Sequence, residues 1–176
     1  MGDGNQSSPR LKCVHVVQSF KNLHMTIPDR LPIMRMEDYH THYLGQASDG
    51  RLFWAYQTYL FTRPYADIAQ HDNWQRHRKE YAVLHTFDKD GNYLATKYWC
   101  AGSSTATDDR VIEAKLREFV SELGETIFTD IEIKLFQTKI DDFTFGLVID
   151  VDNNMINLQP SSTISFREPW DGDYYT

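Results

Sequence analysis

The sequence predicts an α+β fold, in which one curved antiparallel β-sheet, built as a meander of hairpins, carries one long α-helix on one face. Short apolar runs are joined three times by tight Asp/Asn/Gly turns, at residues 47–51, 88–92 and 150–154. Turns of this composition reach positive φ cheaply and are typical of hairpins. One other stretch, about residues 108–123, repeats its apolar residues with the period of a helix.

The N-terminal part of the chain carries weaker signals. Residues 1–10 are polar and contain several Gly and Ser, so they are predicted to be a mobile tail. The remaining residues, 11–176, are predicted to form a single α+β domain, because a chain of this length can bury a core of its own. An apolar run at 11–17 predicts a first strand. Residues 20–38 contain two prolines and no clean period, which predicts an irregular connection with room for one short strand.

The first predicted hairpin pairs residues 39–47 with residues 51–61. The second of these strands is apolar on both faces, with Leu52, Trp54, Tyr56 and Leu60 on one side and Phe53, Ala55, Tyr59 and Phe61 on the other. Such a strand is expected to be central in its sheet, or to present one aromatic face to something else.

A polar segment, residues 62–78, leads to a second predicted hairpin formed by residues 79–87 and 93–100. We interpret the segment as a long loop that contains at most a helical turn, since it shows no apolar periodicity and Pro64 stands near its start.

The predicted helix has both of its ends marked. Thr107 is a suitable N-cap and Gly124 a suitable stop. Between them one apolar stripe repeats at helical spacing: Ile112, Leu116, Phe119, Val120 and Leu123.

The C-terminal third returns to strands. Residues 131–135 alternate apolar and charged side chains, and residues 143–151 alternate in the same way before a hairpin returns through residues 155–158. The tail from Pro160 is polar and rich in turn residues, so no strand interior is predicted there.

Composition excludes some function classes and favours others. The formal net charge is −7 and the isoelectric point is about 5.4. An acidic chain is not expected to bind nucleic acid broadly, and it would meet a basic partner quickly.

A basic run beside an aromatic residue, Trp74–Lys79, could stack on a nucleic acid. One short run in an acidic chain is better interpreted as a solvated loop.

Compartment is inferred from signals that the sequence lacks. Cys13 and Cys100 match no metal-binding spacing, which favours idle thiols in a reducing compartment, with a Cys13–Cys100 disulfide as the alternative. The first residues do not resemble a secretory signal, and no apolar stretch approaches the ~18 residues that cross a membrane. We therefore expect a soluble cytoplasmic protein with no membrane association.

His40 and His42 form the one pattern that resembles a metal site. On a strand, residues two apart point the same way, so both imidazoles could reach one ion, with His71, Asp72, His77 or Glu80 as third ligand. A chain with seven histidines produces such a pair by chance, so no metal and no cofactor is predicted, and the pair remains a weak alternative.

No catalytic motif is recognised elsewhere, which leaves partner binding as the leading hypothesis. The tail combines aromatic and acidic residues suited to gripping a protein partner: Trp170, Asp171, Asp173, Tyr174 and Tyr175. The predicted function is a small acidic binding module for a protein, and the negative net charge favours a basic partner. In general type it is similar to immunity or inhibitor proteins that neutralise a toxin. The alternative is a small-ligand-binding protein or a metal-assisted hydrolase that uses His40 and His42.

Overall fold

The computed structural model describes residues 27–36, 38–68 and 73–176. The predicted mobile tail (1–10) and the predicted first strand (11–17) lie outside the described residues.

The described strands form three antiparallel sheets. The large sheet has the order β5-β4-β3-β2-β6, with β2 at Tyr43–Ala47, β3 at Leu52–Phe61, β4 at Arg78–Phe87, β5 at Tyr93–Ser103 and β6 at Thr126–Phe128. The C-terminal sheet has the order β12-β11-β10-β9-β8, with β8 at Gln137–Ile140, β9 at Phe143–Asp150, β10 at Met155–Gln159, β11 at Ser165–Phe166 and β12 at Tyr174–Tyr175. A two-stranded sheet pairs β1 (Arg30–Ile33) with β7 (Ile131–Lys134).

The predicted fold class, one curved sheet with one long helix, is wrong. Strands account for 47% of the described residues and helices for only 14%, and the strands are divided among three sheets. The hairpin pattern specifies which neighbours pair along the chain, but it does not reveal that the C-terminal hairpin joins a separate sheet. The fold is mostly β.

Helices are short and few in the described residues. The predicted helix is present, but α2 spans only Asp109–Ser121, and its N-cap is Asp108 rather than Thr107. The predicted loop at residues 62–78 contains a single turn, α1 (Tyr65–Ile68), and a 3-10 turn at Trp74–His77.

The three predicted hairpins are confirmed as β2–β3, β4–β5 and β9–β10. The first is shorter than predicted, because β2 begins at Tyr43 and not at residue 39. The short strand allowed for in residues 20–38 is β1 (Arg30–Ile33), and its partner β7 (Ile131–Lys134) is distant from it in the sequence.

Strand β3 lies at the centre of the large sheet and is buried on both faces, as its sequence predicts. One face meets the C-terminal sheet, where Trp54 and Tyr56 enter the larger core. The other face meets α2, where Phe53 and Ala55 pack against the helix. The large sheet is therefore a middle layer between α2 and the C-terminal sheet.

The two cores differ in size and composition. The larger one joins the sheets through aromatic and branched side chains: Leu31, Ile33, Leu44, Trp54, Tyr56, Tyr81, Val83, Phe87, Phe136, Phe145, Leu147, Ile156, Leu158 and Phe166. The smaller one holds the helix stripe that the sequence predicts: Ile112, Leu116, Phe119 and Val120, with Tyr43, Phe53, Ala55, Ala82 and Leu84 from the sheet.

Two glycines allow neighbouring backbone segments to approach closely. A Cβ atom on Gly45 would lie 2.1 Å from the carbonyl oxygen of Ile127, and one on Gly146 would lie 2.2 Å from that of Phe136. Gly146 also has φ at +120°, a conformation that other residues avoid. Each glycine therefore permits a close approach of two backbone segments that any side chain would block.

His85 places a titratable group inside the larger core. It is fully buried, with Nε2 3.0 Å from the Tyr56 hydroxyl and Nδ1 2.6 Å from the Thr96 hydroxyl. Burial lowers the pKa of His85 to about 3, so the ring is neutral in the folded protein at pH 7.

Truncation of the helix stripe tests the smaller core. Phe119 is 3% exposed, so Phe119→Ala should lower the free energy of unfolding by about 3–5 kcal/mol, through lost burial and a cavity. Val111 is 51% exposed on the same helix, so Val111→Ala should change it by less than about 0.5 kcal/mol. Urea denaturation of the three proteins measures both values. Equal midpoints for Phe119→Ala and the wild type would contradict the assigned helix face.

Mild acid should destabilise the protein through His85. The unfolded chain binds a proton at this ring near pH 6.5, whereas the folded protein does so only near pH 3, so stability falls as the pH drops below 6.5. Protonation of His85 in the unfolded chain should by itself lower the free energy of unfolding by about 2 kcal/mol between pH 7 and pH 5. His40, whose pKa burial also lowers, acts in the same direction.

Urea denaturation at pH 7 and pH 5 measures this loss, and His85→Gln is the control. Whatever the stability of the variant at pH 7, its own loss between the two pH values should be smaller by about 2 kcal/mol. An equal loss in both proteins would show that His85 does not titrate in this way.

Candidate functional site

Two adjoining clefts lie beside β3, between α2 and the loop that precedes β2. Their volumes are about 580 Å³ and 410 Å³, and both are lined by Tyr39, Gln57 and Glu113. We call the pair the β3-edge cleft. Its other lining residues are Arg35, Asp38, His42, Tyr43 and Leu116 in the larger part, and Thr58, Tyr59, Arg78, Glu80, Asp109 and Thr163 in the smaller part.

Strand alternation places the acidic residues on the α2 side of the sheet. Glu80 lies opposite Tyr59 in the β3–β4 register and shares its face with Ala82 and Leu84, which pack against α2. Asp109 and Glu113 stand on the first turns of α2, one helical turn apart. Among the residues that the structure describes, four carboxylates line the cleft, Asp38, Glu80, Asp109 and Glu113, against two arginines, Arg35 and Arg78.

Glu80 is the most buried of these acids, at 4% exposed. Its Oε1 lies 2.7 Å from Nε of Arg78 and accepts a hydrogen bond from the Ser104 hydroxyl. Its Oε2 is buried and has no hydrogen-bond partner among the described residues. A buried carboxylate oxygen without a donor is costly, so a donor that reached this atom would stabilise it.

The side-chain hydroxyls of two other cleft residues, Thr58 and Thr163, are also buried and have no hydrogen-bond partner among the described residues. Other polar side chains of the cleft do have hydrogen-bond partners. The Tyr43 hydroxyl donates to Glu113, and the Gln57 amide donates to Asp109 over 3.3 Å. Burial, followed by the bond to Glu113, raises the pKa of Tyr43, so that this hydroxyl remains a donor.

An aromatic surface continues from the smaller part of the cleft. Arg78 lies over the ring of Tyr59, with its guanidinium carbon 3.8 Å from the ring centre, and 5.6 Å from the ring centre of Trp74. Phe61 and Tyr65 complete a shallow pocket of about 370 Å³ with them. Arg78, which belongs to the basic run Trp74–Lys79, therefore has a structural role, because it packs over the rings of Tyr59 and Trp74 and pairs with Glu80.

The histidine pair does not share a direction. Residues 38–42 form a bend and turns rather than a strand, so the alternation assumed for His40 and His42 does not apply. His40 is buried against the rings of Tyr39 and Tyr174, and burial lowers its pKa. His42 is exposed and lines the larger part of the cleft.

Within residues 27–36, 38–68 and 73–176, no three His, Cys, Asp or Glu side chains are placed to hold a metal ion. Two of the suggested third ligands, His71 and Asp72, lie outside the described residues, as does Cys13. Cys100 is half-buried and forms no disulfide with a described residue.

The five tail residues are divided between packing and exposure. Trp170 is partly buried against the larger core, and Tyr174 is buried with its hydroxyl 2.9 Å from that of Thr41. Asp171, Asp173 and Tyr175 are exposed, and a carboxylate oxygen of Asp171 accepts from the N–H of Asp173. Through Tyr174 and Thr41 the tail adjoins the turn that forms one wall of the cleft.

Sequence reasoning did not bring Gln57, Glu80, Asp109 and Glu113 together as a site. A signal for Glu80 was present: it is the one charged residue on an otherwise uncharged face of the predicted strand 79–87, which continues through Ala82, Leu84 and Thr86. Its neighbours come from distant segments, and only the packing of α2 on the sheet unites them.

Comparison with protein-family models, with curated proteins and with solved structures gave no significant match. None of the helices in the described part of the chain is long and apolar enough to cross a membrane.

Substitutions in the tail separate its packing residues from its exposed ones. Trp170→Ala should lower the free energy of unfolding by about 2–3 kcal/mol, because the ring packs against the larger core. Tyr175 is 60% exposed, so Tyr175→Ala should change it by less than about 1 kcal/mol. Chemical denaturation of both variants gives the comparison. Equal stability of both variants and the wild type would mean that Trp170 is not needed by the fold and is available to a partner.

Proposed function

We propose that this protein is a binding module that holds a basic segment of a partner protein in the β3-edge cleft. The observation that carries the proposal is Glu80, a buried carboxylate among the residues that line the cleft, with Oε2 unpartnered among the described residues. A lysine ammonium or an arginine guanidinium would supply both the hydrogen-bond donor and the positive charge that this oxygen accepts best.

The charge balance of the cleft supports a cationic ligand. Its four carboxylates exceed its two arginines, and Arg78 is already held by Glu80 and the aromatic rings. Acidic side chains at the rim, such as Asp109 and Glu113, would steer a basic segment toward the cleft and raise its rate of association.

The aromatic surface beside the cleft suits a protein rather than a small cation. Tyr59, Tyr65, Trp74 and Arg78 are of the three residue types that are enriched at binding hot spots. The exposed tail residues Asp171, Asp173 and Tyr175 belong to the proposal as an outer contact, because Tyr174 between them contacts the turn at residues 38–42. The predicted cytoplasmic location and the general likeness to immunity or inhibitor proteins are part of the same proposal.

Binding of a model cation tests the proposal directly. Hexalysine amide should shift the backbone NMR signals of Gln57, Tyr59, Glu80 and Glu113 in ¹⁵N-labelled protein at low salt, and hexaglutamate should not. The double variant Asp109→Asn/Glu113→Gln should bind hexalysine about threefold or more weakly, since two cleft charges are removed while their acceptor oxygens remain.

A matched control removes two charges from the other end of the same helix. Glu118→Gln/Glu122→Gln alters the net charge equally, but neither residue lines the cleft, so its affinity should be near that of the wild type. Equal weakening by both double variants, or hexalysine shifts that avoid the cleft, would contradict the proposal.

A further inference from the structure

We infer that the basic segment binds as an added β-strand along the open edge of β3, with basic residues at alternate positions. This inference rests on the proposed function and specifies how the cleft holds its ligand. It follows from the pairing of β3, from the direction of its backbone groups and from the side on which the carboxylates lie.

The edge is open because β3 is longer than its neighbour. Strand β2 begins at Tyr43, opposite Ala55, whereas β3 continues to Phe61 and stays paired with β4 along its whole length. Among the described residues, 56–61 therefore have a strand partner on one side only. The cleft lies on their other side, where Gln57, Thr58 and Tyr59 line it.

The alternation of hydrogen-bonded and non-bonded pairs in the β2–β3 hairpin identifies which residues of β3 direct their backbone groups toward the open side. The N–H of Ala47 donates to the carbonyl of Arg51 over 2.9 Å, in the same register that pairs Tyr43 with Ala55. Because bonded and non-bonded pairs alternate in an antiparallel ladder, the odd-numbered residues of β3 direct their N–H and C=O groups toward the β2 side. Beyond Ala55 these are Gln57 and Tyr59.

Most of these backbone groups are available to a ligand. The Ser161 hydroxyl donates to the carbonyl of Tyr59. No described loop or side chain hydrogen-bonds to the backbone of Gln57 or to the N–H of Tyr59. A row of such groups on a strand edge is a template for an added strand, and it binds through the main chain.

Side-chain alternation then specifies the ligand. Gln57 and Tyr59 face the α2 side of the sheet, in line with Phe53 and Ala55. Residues directly opposite them on an added strand would face the same side and would meet Glu80 and Glu113. The two ligand residues opposite Gln57 and Tyr59 are separated by one residue, so the expected motif is Lys-x-Lys, or its arginine equivalent, in an extended segment.

Backbone methylation of a peptide separates strand addition from attraction by charge alone. The probe is acetyl-Lys-Ala-Lys-Ala-Lys-Ala-amide, in two trimethylated forms. One form is N-methylated at its lysines, whose N–H groups would face β3, and the other at its alanines, whose N–H groups would face away. The two forms share charge, composition and number of methyl groups.

We expect the alanine-methylated peptide to bind about as well as the parent, and the lysine-methylated one about tenfold or more weakly, because it loses main-chain hydrogen bonds. Amide hydrogen exchange at Gln57 and Tyr59 should slow when the parent peptide is added. Equal binding of the two methylated forms, or unchanged exchange, would overturn strand addition while leaving a charge-based cleft in place. Failure of the parent peptide and of hexalysine alike would instead remove the proposed function.

Discussion

The burial of β3 on both of its faces is the constraint on which the rest of this structure depends. Its alternate side chains enter two different cores, with Trp54 and Tyr56 against the C-terminal sheet and Phe53 and Ala55 against α2. A slip of one residue in its pairing would exchange the two sets and leave neither core filled. The register of β3 with β2 and β4 therefore determines where both outer layers can pack.

The same strand also explains where the cleft lies. In the described residues the large sheet narrows after Ala55, because β2 begins opposite that residue and the chain that precedes β2 turns away to bury His40 and Thr41. Beyond that point the α2 side of β3 changes from apolar to polar, at Gln57 and Tyr59. The first turns of α2 overhang this region with carboxylates instead of apolar residues. A difference in length between two paired strands thus produces a polar recess beside a well-packed core.

Local features of the fold could be predicted from the sequence, and distant ones could not. The hairpins around residues 47–51, 88–92 and 150–154, and the helix stripe through Phe119, follow from turn chemistry and periodicity, which act over a few residues. The pairing of β1 with β7 and of β2 with β6 joins segments about 80 to 100 residues apart, and no local pattern encodes it. The site has the same limitation: Glu80 could be noticed as an acid on an uncharged strand face, but Asp109 and Glu113 become its neighbours only through packing. The shared direction predicted for His40 and His42 requires a strand, whereas the chain makes turns at these residues.

The glycines at 45 and 146 have an evolutionary consequence. Core positions tolerate exchange among apolar residues of similar volume, so a hydrophobic pattern erodes as sequences diverge. A position at which a single added carbon would lie 2.1 or 2.2 Å from a neighbouring carbonyl oxygen has no such freedom. Descendants of this chain that keep the same strand contacts must keep both glycines. A distant homologue would therefore be recognised more readily by these two residues, set within their hairpins, than by the identity of any core side chain.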